Sequence, residues 1–374
     1  MRLVVVGVHL SSDAYPNVRH TLDGLRAIPG LTLEEHAFPM RSQGHLSARP
    51  GLRALVSAAV AHTRALRALW CLTAGTRVFV PYPALFLLFL WSLFPRSRRR
   101  RLRIVADAFI SVHDTLVDDR RRLNPHGWRA RLLYAIERRA LGIAEAVVVD
   151  TEENADFMAQ SLGLPRARLH AVGLCIDESA YAPRATAQRP DGRCRVLFTG
   201  TLIPLHGIEV IVAAMTRLAA REDIEFILIG DGQQAPVLET FMAGSPPRVG
   251  WSRRWHTALE LADEVAAADI CLGVFSPGPK AQRVGPLKVH AYACMGKAII
   301  TAETAWSRRI THALAAPPFF TVPAGDGAAL AKAITVLADD AALRARLGRA
   351  SRTAYGQQLG NARTVARLRV VLFP

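Results

Sequence analysis

Residues 196–215 read VLFTGTLIPLHGIEVIVAAM. A short apolar run, Val196–Phe198, enters a loop that contains Gly200, and a helix begins near Gly207. Such a loop lets backbone N–H groups approach a phosphate. It is not a Walker A loop, because the Gly-Lys-Ser/Thr ending is missing. His206, just before the helix, is either a phosphate contact or a polar residue at a helix entrance.

Outward from this stretch, short apolar runs alternate with helical patterns. Upstream, Leu3–Val6, Leu31–His36, Arg77–Val80, Arg103–Ala106 and Ala146–Val149 read as strands. Val18–Ala27, Leu52–Trp70, Pro83–Phe94 and Arg129–Leu141 read as helices, the last with an apolar stripe at Leu132, Leu133, Ile136 and Ala140. Downstream, Arg195–Phe198, Glu225–Ile229, Ile270–Val274 and Ala298–Thr301 are strands. Ile208–Ala220, Ala235–Met242, Ala258–Ala267 and Leu287–Met295 are helices, and two or three more follow Asp326. This alternation predicts α/β architecture: two doubly wound, Rossmann-like domains facing each other across a cleft. The expected limits are 1–183 for the first domain, 184–192 for a Pro-containing linker without an apolar face, and 193–355 for the second. A C-terminal helix, 356–374, is left to cross back to the first domain or not. No repeat of solenoid period is visible.

Two further strand ends carry chemistry. Ile227–Gly232 (ILIGDG) closes a strand in a tight turn, and serves equally as a simple strand–helix turn or as a ligand contact. Phe275–Thr301 contains a polar loop with Lys280 and Arg283, then Gly285-Pro286 opening a helix, with Pro in its first turn. Lys288 and the helix N-terminus would face one ligand, which suits a diphosphate. The competing reading is a solvated basic loop.

The chain has 374 residues, 51% hydrophobic and 21% charged, with 26 Gly and 22 Pro, which argues against a fibre or global disorder. No run reaches the roughly 18 apolar residues of a membrane span, and the N-terminus reads as a first strand instead of a signal peptide. The formal net charge is +16 and is unevenly placed: between Glu35 and Asp107 there are twelve arginines and no acidic residue. The apolar run Val80–Phe94 ends in Arg96-Ser97-Arg98-Arg99-Arg100-Arg101. This suits an anionic membrane surface, or else a buried helix followed by a solvated basic loop. A nucleic-acid partner is not expected, since the run lacks interleaved aromatics and no recognition module is visible. Of 47 basic residues only Lys280, Lys288, Lys297 and Lys332 are lysines, and three of them cluster. Five dispersed cysteines without CxxC or Cys/His spacing predict reduced thiols in a cytosolic protein and no zinc site.

In this order, FTGTLIPLHGIEVIVAAM, LIGDG and ADICLGVF…KAQRVGPLKVHAYACMGKAIITAET resemble the GT-B glycosyltransferases, specifically the large retaining family 4. AEAVVVDTEENADFM and AVGLCIDESAYAP are similar to the end of that family's acceptor domain and its entry to the linker. The resemblance implies a nucleotide-sugar donor, as substrate and not cofactor, on the second domain, an acceptor on the first, retained anomeric configuration and no metal. It implies a donor site at Gly200, Thr201, His206, Gly230, Lys280, Arg283, Pro286, Leu287 and Lys288, with Lys288 holding the donor phosphate. His206 and Thr201 stand where many relatives have Lys and Arg. The family's paired glutamates, separated by seven residues, align with Arg283 and Ala291. Arg283 pairs well with a carboxylate, which raises the prospect of an acidic donor sugar.

In the first domain the resemblance makes Asp107, at a strand end, the candidate for acceptor orientation or charge stabilisation, against a buried capping role. His113 is a candidate general base, and Gly7 and Arg19 are candidates to reach acceptor or phosphate. The leading expectation is a glycosyltransferase at the inner face of the cytoplasmic membrane. It would transfer sugar to a lipid-linked or glycan acceptor in bacterial cell-surface polysaccharide assembly. The rivals are a nucleotide-sugar epimerase and an inactive GT-B scaffold or binding protein.

Overall fold

The structure is a computed structural model that describes residues 1–9, 16–38, 52–184 and 192–374, without the side chains of Leu52 and Ala54. The chain divides into two compact units, Met1–Cys175 with Asn361–Pro374, and Ile176–Gly360. The changeovers therefore fall at 175/176 and 360/361, where sequence reading places them at 183 and 355; residues 185–191 of the expected linker lie outside the described residues. Packing gives the reason. Ile176 is buried in the second unit's core, and Tyr355 Oη donates to Glu178 Oε1 at 2.7 Å within that unit. The last helix, Asn361–Leu372, buries Leu368 and Leu372 in the first unit, where Thr364 Oγ1 donates to Leu174 O at 3.1 Å.

The first unit holds strands β1 (Arg2–Gly7), β2 (Thr32–Ala37), β3 (Arg77–Val80), β4 (Arg103–Phe109), β5 (Ala146–Val149) and β6 (Leu169–Ala171), in the order β2-β1-β3-β4-β5-β6, all parallel. The second holds β7 (Cys194–Thr199), β8 (Ile224–Ile229), β9 (Val249–Ser252), β10 (Ile270–Leu272), β11 (Ala298–Ala302) and β12 (Phe320–Val322), in the order β12-β11-β10-β7-β8-β9, again all parallel. Alternate residues of one strand feed different cores. Val4 and Val6 join one cluster and Leu3 and Val5 another; Val196 and Phe198 part from Leu197 in the same way. A strand covered on both faces must be apolar at every position, which is why these strands read as continuous runs.

Two helices differ from expectation. The apolar stretch Val80–Phe94 yields a shorter helix, Leu85–Trp91, which buries Leu85, Leu87, Leu88 and Trp91 in the first unit's core and leaves Phe86 and Leu93 exposed. Of the two readings of this stretch, the helix itself follows the buried one. On helix Trp128–Gly142 the buried positions are Ala130, Glu137, Ala140 and Leu141, and Leu132, assigned to the apolar stripe, is exposed. The buried carboxylate turns the stripe: Glu137 must face inward to accept from three partners described below.

Lys297 is structural. Its Nζ donates to Ala266 O at 2.6 Å and Ala268 O at 2.9 Å, closing the C-terminus of helix Ala258–Ala267 with a cation. Lys297→Met strands two carbonyls, and should lower unfolding free energy in urea by about 1–3 kcal/mol. An unchanged midpoint would remove this capping role.

Candidate functional site

In the second unit β7 and β10 are neighbours, and the sheet order runs away from them in both directions, to β8 and β9 on one side and to β11 and β12 on the other. This is the switch point of the sheet, where open α/β sheets leave a crevice beyond the strand ends. The loops leaving β7 and β10 flank it and are bonded together: Phe275 N donates to His206 O at 3.1 Å.

Two glycines allow the loops to meet. Gly200 has φ +139°, and a Cβ there would lie 2.8 Å from Lys288 Nζ. Gly230 has φ +144°, and its Cβ would land inside the carbonyl oxygen of Gly200. The Gly-Asp-Gly turn is thus held back to back with the first loop, with Gly200 N on Ile229 O at 2.9 Å and Leu202 N on Asp231 O at 3.0 Å. Asp231 is engaged by Arg253 at 2.9 Å and by the Gly232 amide at 2.8 Å. Of the two readings of ILIGDG, these contacts carry the strand–helix turn.

Helix Leu287–Cys294 starts after Pro286, which sits at the N-cap (φ −68°, ψ 127°) and not inside the first turn as expected; no side chain caps this end. Lys288, in the first turn, directs its ammonium under the Gly200 loop. Nζ is sealed from solvent, has no hydrogen-bond partner, and lies 3.7 Å from the centre of the Phe198 ring. Burial holds its pKa well below the usual 10.5. Taking an ammonium out of water costs several kcal/mol, and a desolvated cation–π contact returns about 2. An anion beside Nζ would offset that cost. His206 is buried in an edge-on contact with Phe198, ring centres 5.6 Å apart. The structure thus brings Gly200, His206 and Lys288 into one cluster, with Thr201 half-buried beside it, Gly230 behind it, and Pro286 and Leu287 forming the helix start.

Lys280 and Arg283 belong to the loop leading into the helix. Lys280 is buried, its carbonyl accepting from Arg283 N at 3.0 Å, and Arg283 Nη1 donates to Pro279 O at 3.2 Å. Ala291 packs into an apolar core cluster.

Sequence reading missed the supports. Tyr292 Oη accepts from Thr199 N at 3.1 Å and bonds Thr199 Oγ1 at 2.9 Å, tying the Lys288 helix to the end of β7. Its position four residues beyond Lys288, one helical turn on, was the available signal. Trp251 Nε1 donates to Gly230 O at 2.9 Å, with no local signal at all. Tyr292→Phe should lower the melting temperature modestly, as checked by calorimetry; an unchanged melting temperature would show that the tie is dispensable.

In the first unit Asp107 is buried at the end of β4 and accepts from Phe109 N at 2.9 Å. The chain is irregular here: Phe109 takes φ +48° and the β4–β5 register shifts between Asp107 and Phe109. Burial, with a smaller push from Asp150, raises the Asp107 pKa to about 7. His113 sits apart from that carboxyl's contacts, half-buried and edge-on to Tyr134 at 5.6 Å. Its turn is fixed by Glu137, which accepts from Ser111 Oγ at 2.9 Å, Val112 N at 2.7 Å and His113 N at 2.9 Å. Gly7 is needed for packing, since a Cβ would meet Pro81 Cδ at 2.9 Å. Arg19 is exposed. His9, which sequence reading passed over, is buried just beyond β1, and burial lowers its pKa.

Residues 193–340 match the family described as glycosyl transferases group 1. No curated protein matches the chain. Among solved structures, the chain is similar to HepE of Anabaena in complex with UDP, with 13% identity over 100% of this chain and 99% of that one, TM-score 0.69. It is similar to sucrose-phosphate synthase of Thermosynechococcus elongatus, with 16% identity over 99% and 98%, TM-score 0.71. A third likeness is to a trehalose-6-phosphate protein of E. coli bound with UDP-2-fluoro glucose, with 12% identity over 100% and 99%, TM-score 0.69. These likenesses, with the two six-stranded parallel sheets, establish a GT-B fold.

Proposed function

We propose that the chain is a retaining glycosyltransferase. It moves a sugar from a nucleoside-diphosphate donor to a lipid-linked or glycan acceptor, in bacterial cell-surface polysaccharide assembly at the inner face of the cytoplasmic membrane. The observation that carries the donor half is Lys288, a sealed ammonium without a partner at an uncapped helix start beside the switch point. The group 1 match over 193–340 and the UDP and UDP-sugar complexes of structural neighbours support it.

In the proposed reaction the bond from C1 of the sugar to the diphosphate oxygen breaks. Charge collects on the departing phosphate, where Lys288, the helix N–H groups and His206 stabilise it. The acceptor oxygen bonds C1 on the same face, and its proton leaves with the diphosphate. Lys280 and Arg283 border the donor, and Gly200, Thr201 and Gly230 shape its bed. Asp107 is the acceptor-side carboxyl, and His113 has the lesser role. Melting curves of the full chain with UDP, GDP, ADP and dTDP, with and without their common sugars, test the donor half. Stabilisation by one nucleotide is expected, and none by any would refute it. The apolar packing of Ala291 favours one rival, an inactive scaffold; release of nucleoside diphosphate with a new retained glycosidic bond separates the two. If Arg283 reads the sugar, a uronate donor outcompetes its neutral hexose; the reverse preference refutes that assignment.

A further inference from the structure

Several surface arginines of this chain are paired with carboxylates: Arg2 with Glu34, Arg26 with Asp23 and Glu35, Arg166 with Glu152 and Asp156, Arg221 with Asp223 and Asp339. Among the described residues, the arginines of helix Leu52–Cys71 (Arg53, Arg64, Arg67) and of the turn at 96–101 enter no ion pair. No acidic residue occurs from 36 to 106 to neutralise them. Arg99 shows the consequence: burial, and then the like charges of Arg139, Arg96 and Arg100, lower its pKa. Helix Trp128–Gly142 adds only basic charge on the adjoining side, since its one carboxylate, Glu137, is buried.

The same surface exposes large apolar side chains. Val56 is 54% exposed and Val60 45%, on the turns of helix Leu52–Cys71 that also carry Arg53, Arg64 and Arg67. The patch continues beyond the helix. Phe86, 51% exposed, meets His62 edge-on at 6.4 Å. Trp70 lies 5.6 Å from Phe94 and is covered by the Arg98 guanidinium at 4.3 Å. Leu93, 60% exposed, precedes the basic turn.

We propose that the outer face of helix Leu52–Cys71, continued by Phe86, Leu93 and the 96–101 turn, docks the first unit on an anionic lipid bilayer. Unpaired guanidiniums select a polyanionic partner. Exposed Val and Leu side chains between them select one with an apolar layer below its charge, which a bilayer has and a nucleic-acid backbone lacks. Among the described residues no helix is long and apolar enough to cross a membrane, so the contact is with the surface. The inference deepens the proposed function, because a lipid-linked acceptor lies in such a surface.

Flotation of the full chain tests it, with phosphatidylcholine vesicles and with vesicles containing about 40% phosphatidylglycerol. The chain should float with the anionic vesicles and not with the neutral ones, and 0.5 M salt should weaken binding. The double variant Val56→Asp/Val60→Asp should bind at least tenfold more weakly, with the melting shift given by the stabilising one of UDP, GDP, ADP and dTDP unchanged. Should that variant melt early, Arg64→Glu/Arg67→Glu, on the same exposed face, should show the same loss. Equal flotation with neutral vesicles, or flotation untouched by both variants, overturns the proposal. So does preferential binding of duplex DNA that neither variant disturbs. Flotation without any nucleotide-induced shift would refute the donor site and leave the docking face standing; the converse would refute only the docking face.

Discussion

Lys288→Met should lower turnover by about 100-fold or more, as when a charge contact made in the transition state is lost. The same change should raise the melting temperature of the ligand-free protein. Both effects follow from one geometry. The ammonium is sealed without a hydrogen bond, with only the Phe198 ring at 3.7 Å to answer its charge. A thioether of similar length fills that space without the desolvation cost. A lysine kept for packing behaves oppositely, with stability falling and turnover little changed. The pH dependence has a definite sign. Between its lowered pKa and the ordinary 10.5, Lys288 holds a proton in the unfolded chain and lacks it in the folded one. Stability contributed at this site therefore rises with pH across that window and levels off above 10.5. A diphosphate reverses the balance by calling the proton back, so nucleotide affinity should fall as pH rises through the window. Lys288→Met should abolish both slopes. A destabilised variant with normal turnover would remove Lys288 from the site.

Gly230→Ala should be close to lethal to the second unit. At φ +144° an L side chain is strained by roughly 1–3 kcal/mol. Here the new Cβ also meets the Gly200 carbonyl oxygen, a backbone atom that cannot rotate away. Strain and overlap together should cost about 4 kcal/mol or more, the range of exceptional single substitutions. Urea unfolding, or collapse of soluble yield, would report it. Asp231→Asn, one residue on, should cost about 1 kcal/mol or less, since it weakens an exposed pair with Arg253. A Gly230→Ala protein as stable as the parent would mean that the two loops are not in contact.

Much of this was legible in the residues because of how parallel sheets are covered. Strands β1, β3, β5 and β7 are buried along nearly their whole length and show as unbroken apolar runs. The strands that escaped reading, β6, β9 and β12, are all edge strands of three or four residues and largely half-buried. Such a strand needs no apolar run and leaves none. The stretch Val80–Phe94 admitted two readings, a membrane surface and a buried helix; a helix apolar all round is ordinarily interior, and Leu85–Trp91 buries four side chains in the first unit's core. At the site, Gly200, Gly230 and Lys288 were legible because glycines at strand ends and a lysine at a helix start are local patterns. Glu137 was not, and Tyr292 only through its place one turn beyond Lys288, because each serves backbone amides far off, 93 residues away for Thr199 and 25 for Val112.

The claim that the second unit grips a diphosphate through Lys288 is tested most directly by calorimetry on the full chain. The nucleotide that stabilises it best should be compared with its parent nucleoside, in the wild type and in Lys288→Met. The wild type should bind the diphosphate at least tenfold more tightly than the nucleoside, and the variant should lose most of that preference, keeping only what His206 and the helix N–H groups supply. A diphosphate bound no better than its nucleoside by the wild type, or a preference undiminished in the variant, would contradict it.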